Sequence, residues 1–239
     1  MIAEWVAHNV GALEALVIVL SLDAYLREQD WEMLRCEDVY VELRGKDVPS
    51  VALLFGRRHR GESVKTGQDQ GVCVEDEFVA RAIAGLVEGR PRDENIFGFS
   101  SSHFRKVWAK ALEALDLQWV GPPHTLRHSG PSFDASTGRR DLEQTRRRGR
   151  WKQLKSVERY AKGHALTMHL SRLPRHLKEK GRELKDNFHR VFLKAWPASD
   201  PRPASLRVAL SPLLRRDGAK QRARSLEPPT RRGASGKRA

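Results

Sequence analysis

DVYVELRGKDVPSVALLF, residues 38–55, decides how the rest of the chain is read. DVYVEL alternates in the way a half-buried strand requires. Gly45 and Pro49 punctuate the stretch, and SVALLF closes it with strand-forming residues. Just downstream, ESVKTGQDQGVCV (62–74) reads as strand, turn, strand, with the turn around Thr66 and Gly67. Together these segments predict a small antiparallel sheet of about three strands.

Helical periodicity lies on both sides of that sheet. Upstream, residues 8–35 carry Leu13, Leu16, Val17 and Leu20 at helical spacing, then Leu22, Leu26, Trp31 and Leu34. Downstream, helices are expected over 75–89 and 101–117. In the second, Ser101 or Ser102 serves as cap, and Phe104, Val107, Trp108, Leu112 and Leu115 form the apolar stripe. Further helices are expected over 125–135, 141–148, 155–162 and 164–196, the last interrupted by Pro174. The predicted class is α+β, mainly α-helical, with one domain over 1–196 and the small three-stranded antiparallel sheet inside it. From Pro197 the chain turns proline-rich and basic and has no aromatic residue, so 197–239 is expected to be a disordered basic tail.

The chain has 239 residues, 39% of them hydrophobic, and a formal charge of +14. Such a balance favours a polyanionic partner, because Lys and Arg displace condensed counterions from a phosphate backbone. Charge alone does not separate DNA from RNA or from an acidic membrane. Cys36 and Cys73 form no CxxC pair, which argues against a disulfide framework or zinc site and points to a reducing, intracellular compartment. The histidines show no HExxH spacing, and no metal or other cofactor is expected. The longest apolar stretch, ALEALVIVLSLDAYL from Ala12, contains Glu14 and Asp23 and falls short of the roughly 18 residues of a membrane span. Neither a membrane partner nor a signal peptide is expected.

Five short stretches carry the chemistry: YLREQDWEMLRCEDV with Arg27, VKTGQDQGV with Lys65, HTLRH with His124 and Arg127, GRW with Trp151, and VERYAKG with Tyr160. In this order, with nine positions from Trp151 to Tyr160, the set resembles the catalytic domain of the tyrosine recombinases, the phage integrase family. The resemblance covers roughly residues 10–190. Asp30 stands where the family usually has Glu, and only about ten residues precede the pattern, so the family's separate N-terminal DNA-clamping domain is not expected here.

The resemblance implies site-specific breakage and rejoining of double-stranded DNA by an oligomer, in a nucleoid or nucleus, without metal or ATP. Tyr160 would attack phosphorus and form a 3′-phosphotyrosyl link. Arg27 and Arg127 would clamp the non-bridging oxygens, because a guanidinium offers paired donors and keeps its charge. His124, one helical turn before Arg127, would donate to an oxygen and assist proton transfer. Lys65 would protonate the leaving 5′ oxygen, and Trp151 would donate its indole N–H and pack against the tyrosine helix. Arg147, Arg148, Arg150, Lys152 and Lys155 are candidates for DNA-backbone contact.

Each residue has a plainer reading when taken alone. Arg27 and Lys65 would be solvated cations, with Arg57, Arg58 and Arg60 as rivals to Lys65. His124 would cap a helix, and Trp151 and Tyr160 would fill a core. Three other functions stay open: a DNA-binding module of the same fold without turnover, a type IB topoisomerase-like enzyme, and a basic RNA-binding protein.

Overall fold

A computed structural model of the chain describes residues 1–43, 48–62, 67–158, 163–196 and 203–226. It is mostly helical, with one small antiparallel sheet. The central element is α2 (Ala12–Ala24), preceded by α1 (Ile2–Asn9). Ala15, Leu16, Val17, Leu20 and Ala24 of α2 are all buried, so the helix is enclosed rather than laid on a surface.

The region expected to be helical over 8–35 falls into three separate helices. Gly11, extended, ends the first break, and Tyr25 makes the second by entering the left-handed region at φ 52°. Arg27 is then extended, and α3 (Glu28–Glu32) begins with the Asp30 carboxylate accepting the Arg27 backbone N–H at 2.9 Å. That local bond satisfies a donor that a helix start leaves orphaned. Trp31 of α3 is buried against Phe97, Phe99 and Phe104.

The sheet has the expected three strands, β1 (Val39–Glu42), β2 (Ser50–Phe55) and β3 (Gln70–Val74), in the order β1-β2-β3. Their register places Val39, Leu53 and Val72 in one row and Tyr40, Ala52 and Cys73 in the next. Leu53 and Val72 are buried, and Tyr40 and Cys73 are exposed, as the two-residue period of a one-sided sheet demands.

Next come α4 (Glu77–Val87), capped by Asp76, and α5 (Ser101–Ala114). The cap of α5 is Ser100, whose hydroxyl accepts the His103 N–H at 3.2 Å, and neither Ser101 nor Ser102 serves. The helix starts one residue earlier than its apolar stripe suggests, and that stripe is buried at Phe104, Val107, Trp108 and Leu112. The chain continues through α6 (Thr125–Thr137), α7 (Leu142–Arg148), α8 (Leu154–Glu158), α9 (Gly163–Arg172) and α10 (Arg175–Ala195). Pro174 separates the last two, at the interruption expected there.

One segment departs from its composition. Residues 203–226, expected within a disordered tail, form α11 (Pro203–Leu226), which packs on α4. Leu206 and Leu210, one turn apart, are fully buried. Gly85 lets the two helices approach closely: a Cβ there would lie 3.1 Å from the Leu206 Cα. Arg216 adds an ion pair to Glu77 at 2.8 Å. Two leucines at helical spacing supply the docking edge, and the surrounding basic residues mask them in any composition average. No helix among the described residues is long and apolar enough to cross a membrane.

Candidate active site

Three segments far apart in sequence meet at one place: the α2–α3 junction (25–30), the start of α6 (124–128) and the turn between α7 and α8 (149–151). Arg127 joins them. Its guanidinium donates to the Tyr25 carbonyl and, at 2.6 Å, to the Gly149 carbonyl, and it lies 4.6 Å from the Trp151 ring centre. It is 2% exposed, so these charge-assisted bonds and the ring face are its solvation.

The turn at 149–151 ends α7 in a Schellman arrangement. Trp151 N–H bonds the Arg146 carbonyl at 3.1 Å, and Arg150 N–H bonds the Arg147 carbonyl at 3.0 Å. Glycine usually takes the left-handed position of this motif, but here Arg150 holds it at φ 55°. Gly149 is needed for a different reason: a Cβ on it would lie 1.7 Å from the Trp151 ring. The Trp151 ring thus packs against Gly149 and joins Tyr25 and Val157 of α8 in a small buried cluster.

The Arg150 side chain runs back to the α2–α3 junction. It pairs with Asp30 at 2.5 Å, is 4% exposed, and lies 4.4 Å from the Phe55 ring centre. Burial pulls its pKa down, Asp30 opposes this, and the positive charge of Arg27 adds to the lowering. Arg27 and Arg150 are both tied to Asp30, the one by its backbone N–H and the other by its side chain. Arg27 Nη1 and Arg150 Nε are buried and lack a hydrogen-bond partner among the described residues. A buried guanidinium N–H without an acceptor is costly, by about 1–3 kcal/mol or more for a charged group.

His124 is exposed at the start of α6, and its ring meets that of His128 at 4.6 Å, edge to face. Burial, with the charges of His124 and Arg127 behind it, lowers the His128 pKa to about 4. His128 is therefore a neutral imidazole at neutral pH, packed beneath His124.

The basic stretch after α7 divides in two. Arg147, Lys152 and Lys155 face solvent, Arg147 with 75% of its side chain exposed beside Glu143. Arg148 and Arg150 do not. The Arg148 side chain is 7% exposed and binds the Asp23 carbonyl at 2.9 Å, the Asp23 carboxylate at 3.1 Å and Glu75 at 2.7 Å. These two leave the candidates for DNA-backbone contact, because acids from α2, α3 and the end of β3 already hold them. Two of the three rivals to Lys65 are similarly engaged, while Arg58 is exposed and lies 3.8 Å from Asp69. Arg60 pairs with Glu37, Asp38 and Glu62, and Arg57 lies 3.5 Å from Asp38. Lys65 and Tyr160 lie outside the described residues.

A supporting network was not foreseen in the sequence. The Tyr25 hydroxyl donates to Asp134, which also pairs with Arg140, and Arg140 reaches Glu75. Burial first, and then Asp134, raise the Tyr25 pKa, so the phenol remains a donor. Asp30 did leave a readable sign: an acid three residues after a break, where it accepts the N–H of the residue before the helix. Arg150 left none, since Gly149 beside it is the residue expected to adopt a left-handed backbone.

No family model matches the chain, and no curated protein matches it. The site's chemistry therefore stands on its own geometry. Two guanidiniums, those of Arg27 and Arg150, belong to residues tied to the Asp30 carboxylate and hold N–H donors without acceptors among the described residues. A third, that of Arg127, is bonded to the same junction and lies on an indole face. Such a cluster stabilises negative charge on phosphate or carboxylate oxygens.

Proposed function

We propose that the chain breaks and rejoins duplex DNA through a covalent 3′-phosphotyrosyl intermediate at Tyr160, as tyrosine recombinases do, and that it acts as an oligomer on DNA. The observation that carries this reading is the buried Nη1 of Arg27, which has no acceptor among the described residues and lies on a segment tied to Arg150 through Asp30 and to Arg127 through the Tyr25 carbonyl. A scissile phosphate at the Arg27 guanidinium would offset the excess positive charge there.

In this reading the Tyr160 oxygen attacks phosphorus and gives its proton to His124 or solvent. The bond from phosphorus to the 5′ oxygen breaks, and Lys65 supplies the proton that makes it a hydroxyl. Arg27 would offset the charge that grows on the non-bridging oxygens, an effect worth about 10²–10³ in rate for one well-placed donor, and Arg127, held by the Tyr25 and Gly149 carbonyls, would add its positive charge from behind. The phosphodiester energy is kept in the phosphotyrosyl bond, so a 5′ hydroxyl can reverse the step. Arg147, Lys152 and Lys155 would contact the flanking backbone.

A duplex nicked close to the cleavage position tests this, because the short product diffuses away and strands the intermediate. The protein is expected to accumulate as a covalent DNA adduct and Tyr160→Phe to give none. Equal trapping by Tyr160→Phe would overturn the assignment. Salt-sensitive binding without adduct on any nicked duplex would make the chain a binding module instead.

A further inference from the structure

We infer that Arg150 is a positioning residue of this site: its buried pair with Asp30 neutralises that carboxylate and leaves the Arg27 guanidinium available to an oxyanion. The inference rests on the proposed reading of the site and adds a residue and a mechanism to it.

Three independent observations meet at Arg150. Its backbone is left-handed at φ 55°, where Cβ crowds the following carbonyl oxygen and glycine is favoured. Its side chain is 4% exposed and is held by Asp30 at 2.5 Å, 120 positions away in sequence. Its Nε has no hydrogen-bond partner among the described residues, and neither does Arg27 Nη1. A strained, buried arginine persists only where its surroundings over-determine it, and such residues cluster at functional sites. Packing alone gives no reason for it, because glycine would end α7 with less strain.

Asp30 supplies the reason. Its carboxylate fixes the Arg27 backbone by accepting the N–H at 2.9 Å. Left unpaired, the same carboxylate would repel a phosphate approaching the α2–α3 junction. Arg150 covers that charge from the other side. The pair lets Asp30 shape the α2–α3 junction without competing for the substrate's place, and it couples that junction to the Trp151 turn.

The test compares the full chain with Arg150→Gly, Arg150→Lys and the double variant Asp30→Asn with Arg150→Gly. The first readout is the rise in Tm caused by orthophosphate at constant ionic strength, with each protein referred to its own phosphate-free Tm. A role in packing alone would lower the baseline Tm and leave the phosphate increment unchanged. The inference predicts that Arg150→Gly loses most of the increment, Arg150→Lys keeps part of it, and the double variant regains it. An undiminished increment in Arg150→Gly, or no recovery in the double variant, overturns it. The second readout is single-turnover adduct formation on nicked duplex, expected to fall about tenfold or more in Arg150→Gly and to recover in the double variant. If the parent protein forms no adduct while the phosphate pattern holds, the strand-breaking reading fails and the role of Arg150 stands. If the parent forms adduct and Arg150→Gly matches it, the role of Arg150 fails and the reading stands.

Discussion

Tyr25 and Arg150 both hold left-handed backbones, which cost a side-chain-bearing residue about 1–2 kcal/mol each. Contacts offset that cost. The Tyr25 ring lies between Trp151 and Arg148, and Gly130 of α6 makes room for it. A Cβ on Gly130 would lie 2.5 Å from the Leu22 carbonyl and the Tyr25 ring. Gly130→Ala is therefore expected to destabilise the fold by about 1–3 kcal/mol in urea titration. His128 gives a pH signature. Its folded pKa of about 4 lies below the ordinary value near 6.5, so the folded protein binds fewer protons between those pH values. Its contribution to stability is complete above about pH 6.5 and is lost as pH falls toward 4. Tm should decline over that window, and His128→Gln should flatten the decline. At this scale the sequence singled out Arg127 and Trp151 through their spacing, and the structure brings the two together. It concealed the Arg150–Asp30 and Tyr25–Asp134 contacts, which join residues 120 and 109 positions apart and leave no periodic trace.

The elements were easier to read than their joints. Sheet strands alternate and helix stripes recur, so β1 to β3 and most helices follow from local pattern. The joints depend on tertiary contacts: the left-handed turn at Tyr25 that breaks the 8–35 pattern is stabilised by side chains from α6 and α7. The same limit hid α11, whose docking surface is two leucines and a glycine on its partner. Leu210→Ala is expected to cost about 2–5 kcal/mol, read as a lower denaturant midpoint. A change within about 0.5 kcal/mol would mean that α11 is not docked in solution.

Across the whole molecule the charge of +14 is not one uniform coat. Arg60, Arg140, Arg148 and Arg150 are spent on internal acids, whereas Arg147, Lys152 and Lys155 stand exposed beside the site. Replacing Lys152 and Lys155 by Gln should weaken duplex binding and lower the slope of log K against log salt by about 0.9 for each phosphate that is no longer neutralised. The basic composition of this stretch is plain in the sequence, but its buried half cannot be told there from its exposed half, because burial is decided by distant partners. The central claim is that this cationic site directs one phenol to phosphorus. Tyr160 is one of three tyrosines, with Tyr25 and Tyr40. The most direct measurement is peptide mapping of the adduct trapped on nicked duplex. The account predicts that the nucleotide remnant lies on Tyr160; a remnant on Tyr25, on Tyr40 or on a serine would contradict it.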